Sequence, residues 1–232
     1  VRNCITSSFG HGIRLSSSSG NNLTSNIASS NQYGIYLDSS SSNNLTSNTA
    51  TSNTNYGIWL SSSNYNNLTG NTATLNTQRG ISLQSSNYNN ITDNDITDRI
   101  VNAQADGIYL SSSSGNRISS NNLHSNNIGI YLVSSSSNNN ITGNTATLNR
   151  FGIFMDSGSN SNNITGNIAN SNTVSPGNGM YVQSSSGNNF TSNSICSNLQ
   201  SASNIYCDSA QIDGHLNNCT QTGCGIDCGD CP

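Results

Sequence analysis

The side chains with chemistry to offer are few. Asp93, Asp95, Asp98 and Asp106 fall close together. Carboxylate oxygens at that spacing could hold a hard cation such as calcium, although alternate residues of a strand face opposite sides. A solvated polar loop is therefore the competing reading. Hydrolysis of a polysaccharide needs a pair of carboxylates a few ångström apart on one wall, and only Asp95 and Asp98 offer a remote version of it. Six of the seven cysteines, Cys196, Cys207, Cys219, Cys224, Cys228 and Cys231, crowd the last stretch of the chain, while Cys4 stands alone near its start. No catalytic residue emerges. The expectation is a protein that is not an enzyme and has no cofactor, with calcium as the one candidate metal.

A repeat must position any of these residues. The stretch NNLTGNTATLN from Asn66 to Asn76 returns as NNITGNTATLN from Asn139 to Asn149. The glycine that opens each Gly-Ile-aromatic-Leu element recurs at Gly12, Gly34, Gly57, Gly80, Gly107, Gly129, Gly152 and Gly179, in steps of 22, 23, 23, 27, 22, 23 and 27 residues. Fixed periods of this size mark solenoids. Apolar residues alternate within each coil, as in Ile35-Tyr36-Leu37, so each run is a short strand rather than a helix turn. Three strands per coil predict an all-β fold, a right-handed single-stranded parallel β-helix of about nine to ten coils, because left-handed hexapeptide solenoids close in about 18 residues. Ile13 and Leu15 through Ile153 and Met155 point inward on one wall. Leu23, Leu45, Leu68, Ile91, Ile118, Ile141, Ile164 and Phe190 line a second. The corner asparagines, from Asn3 and Asn26 to Asn193, are expected to adopt left-handed backbone and to bond to their copies one coil away.

Composition alone misleads. A Ser- and Asn-rich chain with 7% charged residues resembles a disordered tract until its period is noticed. With 31% hydrophobic residues a single globular core would be thin, whereas a solenoid stacks one small apolar layer per coil. One continuous domain follows, with repeats over 1–220 merging into Cys-rich C-terminal coils over 193–232. A net charge of −4 leaves no basic footprint for nucleic acid, and no apolar run approaches the roughly 20 residues of a membrane span. The opening at Val1 and the cysteine density point to a processed chain in an extracellular or cell-surface setting.

The position between the two inward residues of the Gly-Ile-x-Leu strand points outward. Read coil by coil it carries Arg14, Tyr36, Trp59, Ser82, Tyr109, Tyr131, Phe154, Tyr181 and Tyr206. An exposed aromatic stripe broken only at Ser82 marks a contact surface, for a protein neighbour or for sugar rings. The plainer alternative is that cross-strand ring pairs stabilise the sheet by about 0.2–1 kcal/mol each. The residue before the repeat glycine, which is His11, Tyr33, Tyr56, Arg79, Asp106 or Phe151, reads as a variable corner. Eight N-glycosylation sequons, at Asn22, Asn44, Asn67, Asn90, Asn140, Asn163, Asn189 and Asn218, read as one equivalent outward position, with Arg117 in that place in the fifth coil. Glycans rooted about 4.8 Å apart would collide, so partial modification or a plain Asn/Thr ladder is expected.

Six tail cysteines allow three bridges in fifteen connectivities. Aligning the segment from Gly223 with the Gly-Ile-Tyr-Leu strand sets Cys228 one coil above Cys207, at a separation that permits a bridge. Cys4, read in the slot of Thr49, is left over. It is either a bond to another chain or a buried free thiol. A β-helix presents strand edges at both ends, and a head-to-tail contact that does not close yields a filament.

The unit GIYL, a Ser run, NNLT and NTAT, present in coils 1 to 8 and weaker as NIYC and NNCT in coil 9, resembles the NosD-like parallel β-helix repeats of the pectate-lyase-like superfamily. Ser/Asn-rich versions are common in archaeal surface proteins. The resemblance implies the fold over nearly the whole chain, but that superfamily spans polysaccharide lyases, glycosidases, adhesins and structural rods. A copper site of the kind the NosD name suggests finds no ligand set in three scattered histidines, His11, His124 and His215, and two methionines. Gly10-His11-Gly12 matches the GHG string of polygalacturonase-like enzymes without its companion strings. The sequence thus predicts an extracellular structural protomer stacking on itself head-to-tail. A carbohydrate-binding adhesin-type module is the alternative, and a remote polysaccharide lyase or hydrolase comes third.

Overall fold

The computed structural model describes residues 1–97, 105–174, 177–199, 204–219 and 224–231. Among them are strands and turns and no helix, and every strand pairs in parallel with its copy one coil away. The chain is a right-handed β-helix of about nine turns, as the period predicts. Its long wall stacks nine strands in sequence order, from His11–Ser16 through Tyr33–Asp38, Tyr56–Ser61 and Arg79–Gln84 to Ile205–Cys207. A second wall stacks nine shorter strands, from Asn22–Thr24 to Ile212–Asp213. A third is built of three short sheets containing segments such as Thr49–Thr51, Asn122–His124 and Asn217–Cys219.

Register follows the period residue by residue, so Ile35 pairs with Ile58 and Leu37 with Leu60. Like therefore stacks on like. The inward residues of both longer walls form one apolar column, with Ile58, Leu60 and Leu68 fully buried in a single coil. The third wall contributes small side chains to that column, among them Ala28, Ala50, Ala73, Ala146 and Ala169. These alanines explain the repeat glycine. A Cβ on Gly57 would sit 2.6 Å from Asn76 Nδ2 and 2.7 Å from the Gly80 carbonyl oxygen, and one on Gly34 would lie 3.0 Å from the Ala50 Cβ. The corner where the long and third walls meet is too narrow for a side chain on both.

Asparagines form buried ladders at the corners. Asn48 donates its backbone N–H and its Nδ2 to Asn71 Oδ1 at 2.9 and 3.0 Å, and Asn71 Nδ2 donates back to the Leu45 carbonyl at 2.9 Å. Both are essentially inaccessible to solvent. Each amide thus satisfies backbone groups that a turn would otherwise bury unpaired. The expected left-handed backbone is found at Asn3 (54°) but not at the ladder asparagines. Positive φ falls on the residue before the ladder asparagine, as at Ser47 (53°) and Gly70 (64°), because the turn must tip the asparagine inward.

Three bridges close the C-terminal coils: Cys196–Cys231, Cys207–Cys224 and Cys219–Cys228, with Cα separations of 5.8, 5.1 and 5.1 Å. All six tail cysteines are used, but the expected neighbour relation of Cys207 and Cys228 is not found. Cys228 pairs in register with Asn217 on the third wall, since the last coil is too short to repeat the long strand in the assumed alignment. Asn218 is also off the sequon column, because Ile212 takes the second-wall place opposite Asn189 and Asn218 pairs with Ser194 on the third wall. Cys4 is the free thiol. It stands in the slot of Asn26, not of Thr49: Ile5 pairs with Ile27, and the Cys4 N–H donates to Asn26 Oδ1 at 3.0 Å.

Candidate functional site

The long wall is where side chains gather. Its outer face carries two columns rather than one, because the repeat glycine turns inward and returns the residue before it to the outer side, half-buried at His11, Tyr33, Tyr56 and Arg79 and buried at Asp106, Ile128, Phe151 and Asn178. His11, Tyr33, Tyr56, Arg79, Asp106, Ile128, Phe151 and Asn178 form the first column. The expected stripe forms the second. The first column, which reads along the sequence as a variable corner, consists of strand residues with cross-strand partners. Reading the position before each repeat glycine as a column in its own right would have found it.

The rings pack against one another. Tyr36 and Trp59 stack at 4.1 Å with an interplanar angle of 12°, and His11 stacks on Tyr33 and Tyr36 at 5.3 and 5.2 Å. Towards the other end Tyr131 stacks on Phe154 at 5.0 Å and Tyr181 on Tyr206 at 4.5 Å, with Tyr109 and Tyr181 turned edge-on to their neighbours. The stripe is half-buried rather than fully exposed: it runs from 9% of the surface at Tyr36 through partly buried Trp59, Tyr109, Tyr131, Phe154 and Tyr181 to 39% at Tyr206, since the coil spacing lets rings cover each other. The gap at Ser82 is also filled. The Arg79 guanidinium lies 3.3 Å from the Tyr109 ring centroid and 5.1 Å from that of Tyr56, and it donates to Tyr56 Oη at 3.2 Å.

Titration follows this packing. Burial, aided by Asp156, pushes the Tyr131 phenol up to about 12, and burial raises Tyr36 and Tyr181 as well. The His11 imidazole is lowered by burial and then by the Arg14 charge. Arg14 itself pairs with Asp38 at 2.8 Å and lies over Tyr36. Beside the rings, Gln78, Arg79, Asp106, Asn127 and Arg150 line a cleft of about 360 Å³.

The acidic group is divided. Asp95 lies exposed on the third wall, where Thr97 and Asn122 donate to it, Asp93 occupies an exposed turn before it, and Asp106 belongs to the long wall. Asp98 is outside the described residues. Seven sequon asparagines do share one outward column on the second wall, where Asn67 donates to Asn44 and Asn90 to Asn67 at 3.0 and 2.8 Å, and Thr69 donates to Asn67 at 3.1 Å. Arg117 continues that ladder by donating to Asn90 Oδ1. Among the described residues, the group whose ligand atoms come within metal-binding reach is Asp213, His215 and Asp227, largely exposed near the C-terminal coils.

Comparison with known proteins agrees with this architecture. Residues 67–195 and 98–230 match the right handed beta helix region, and residues 1–99 match NosD, described as a periplasmic copper-binding protein. The chain belongs to the right-handed β-helix family. More particularly, it is a NosD-like parallel β-helix protein. No curated protein sequence matches it significantly. Among solved structures, a double mutant of the periplasmic alginate epimerase AlgG is similar at 20% identity and a TM-score of 0.73, over 86% of this chain and 50% of that one. The Dettilon tailspike protein (gp208) is similar at 18% identity and 0.65, over 83% and 42%, and pectate lyase Pel9A at 12% and 0.61, over 91% and 69%. The chain spans about half the length of the first of these. The expectation that the protein is not an enzyme is corrected by these likenesses, because epimerases and a lyase share its fold. Along the sequence His11 belongs to a Gly-His-Gly string and Asp106 to an acidic cluster, and only the stacking of coils sets Asp106 beside Arg79.

Proposed function

We propose that this protein engages a polysaccharide along its long wall, outside the cytoplasm. The observation that carries the reading is the convergence on one face of two columns of rings and a charged cleft, in a chain that has only sixteen charged residues in all. Tyr hydroxyls and ring edges suit sugar hydroxyls and C–H groups, and the coil spacing repeats them along a line that an extended glycan could follow. Structures of similar fold are named for activity on alginate and pectate, which supports the choice. Three disulfides suit an oxidising compartment, and no described helix is long and apolar enough to cross a membrane. A head-to-tail fibre has no comparable gathering of side chains behind it.

Copper, which the NosD description names, does not fit the residues present. Met155 and Met180 are fully buried in the apolar column, six cysteines are bridged, and His11, His124 and His215 lie on separate strands and turns. Copper sites draw on imidazole and sulfur donors held together.

Trp59 is the single tryptophan and sits within the wall, so its fluorescence reports occupancy. Titration with soluble polysaccharides should change Trp59 emission saturably, and Trp59→Ala with Tyr36→Ala should weaken binding measured by calorimetry. The same mixtures, assayed for new reducing ends and unsaturated products, test turnover. Polysaccharides that leave both Trp59 emission and calorimetric heat unchanged would refute the proposal.

A further inference from the structure

The cleft beside the rings says what kind of sugar the wall takes, an inference that rests on the polysaccharide reading above. Among the described residues, Arg79 and Arg150 line it together with one carboxylate, Asp106, and two amides, Gln78 and Asn127. Asp106 stands in register with Arg79 one coil on, and Asn127 Nδ2 donates to it at 3.2 Å. Among the described residues the arginine ion pair is Arg14 with Asp38, and His215 lies 3.2 Å from Asp213, so neither cleft arginine is in an ion pair. Two of the six basic residues of an acidic chain thus converge with no ion-pair partner.

Arg79 is also held in place. Its guanidinium is sandwiched by Tyr109 and Tyr56, bonds to Tyr56 Oη, and reaches Ser82 Oγ at 3.4 Å. Arg150 lies 5.1 Å from the Phe151 ring centroid. Planar guanidiniums fixed on aromatic faces keep N–H edges free for a carboxylate, which they match two bonds to two. The cleft volume, about 360 Å³, falls in the range of small-ligand sites. We propose that this cleft is an acidic-sugar subsite, in which Arg79 and Arg150 take the carboxylate of one residue of the glycan and the amides and Asp106 meet its hydroxyls.

The test compares polygalacturonate with its fully methyl-esterified form, which has the same backbone without the charge, by calorimetry at low salt. The native protein should bind the acid polymer about tenfold or more tightly, the ratio expected when hydrogen bonds to a charged group are added. Arg79→Gln with Arg150→Gln should bring the ratio close to one, by weakening binding of the acid polymer far more than binding of the ester. Arg150→Gln alone, which keeps the Arg79 stack intact, should lower the ratio part of the way and guards against a folding defect in the double variant. Equal affinity of the native protein for the two polymers, or a ratio unmoved in a folded double variant, overturns the subsite. Tighter binding of dextran sulfate than of polygalacturonate overturns its assignment to a carboxylate. Failure of both galacturonan polymers to bind overturns the subsite, and failure of every soluble polysaccharide to bind overturns the polysaccharide reading itself.

Discussion

At the scale of single residues, buried amides and one imidazole make sharp predictions. Asn71 accepts two hydrogen bonds from Asn48 and returns one to Leu45. Asn71→Leu removes the acceptor for two buried donors, at about 1–3 kcal/mol each, so a loss of roughly 2–6 kcal/mol is expected in denaturant unfolding. A loss below 1 kcal/mol, roughly the worth of one ordinary hydrogen bond, would mean that the ladder is not structural. His11 titrates below its ordinary value because burial and Arg14 disfavour its charge. Its contribution to stability is then complete above the unfolded value of about 6.5 and is lost as pH falls below that and through the lowered folded value. Thermal unfolding of the native chain should fall more between neutral pH and about pH 5 than that of His11→Phe. Identical pH profiles would show that the stacked imidazole does not matter.

At the scale of the element, the unit is one coil, and its weak tolerance lies at the repeat glycine. A methyl on Gly57 meets Asn76 Nδ2 and the Gly80 carbonyl well inside van der Waals contact. Gly57→Ala should cost about 1–3 kcal/mol by overpacking, whereas Gly143→Ala, at a positive φ of 65° but with nothing within 4 Å of the new atom, should act only through its backbone. Comparing the unfolding midpoints of the two separates crowding from conformation. Much of this element was legible from spacing. Ile35, Leu37 and Leu45 lie inside because apolar alternation with period two can be satisfied only by a strand. The third wall was less legible, since Ala50 and Ala73 carry too little hydrophobic signal to stand out from the threonines around them.

At the scale of the whole molecule, stability is local, because each coil touches only its neighbours. The three bridges enclose 35, 17 and 9 residues of sequence separation, all within the last coils. Reduction should remove about 2–4 kcal/mol for a typical bridge and raise amide exchange around Ile195 and Cys219 first, leaving the coils around Ile35 and Ile58 protected. Uniform deprotection along the chain would show instead that the solenoid unfolds as one unit.

The sequence by itself determined the solenoid, its parallel register and the inward residues, because a period repeated nine times states the same packing problem nine times. It determined as well that six tail cysteines would be consumed together. Tertiary structure alone decided what broke the period. Cys228 fell on the third wall because the last coil is short, Asn218 did so because Ile212 holds the second-wall place, and Cys4 took an asparagine's slot in the first coil. The candidate site belongs to the same class. Arg79, Asp106 and Arg150 look like irregularities when read along the chain, and only the stacking of coils, which sets residues more than twenty positions apart side by side, turns them into one cleft.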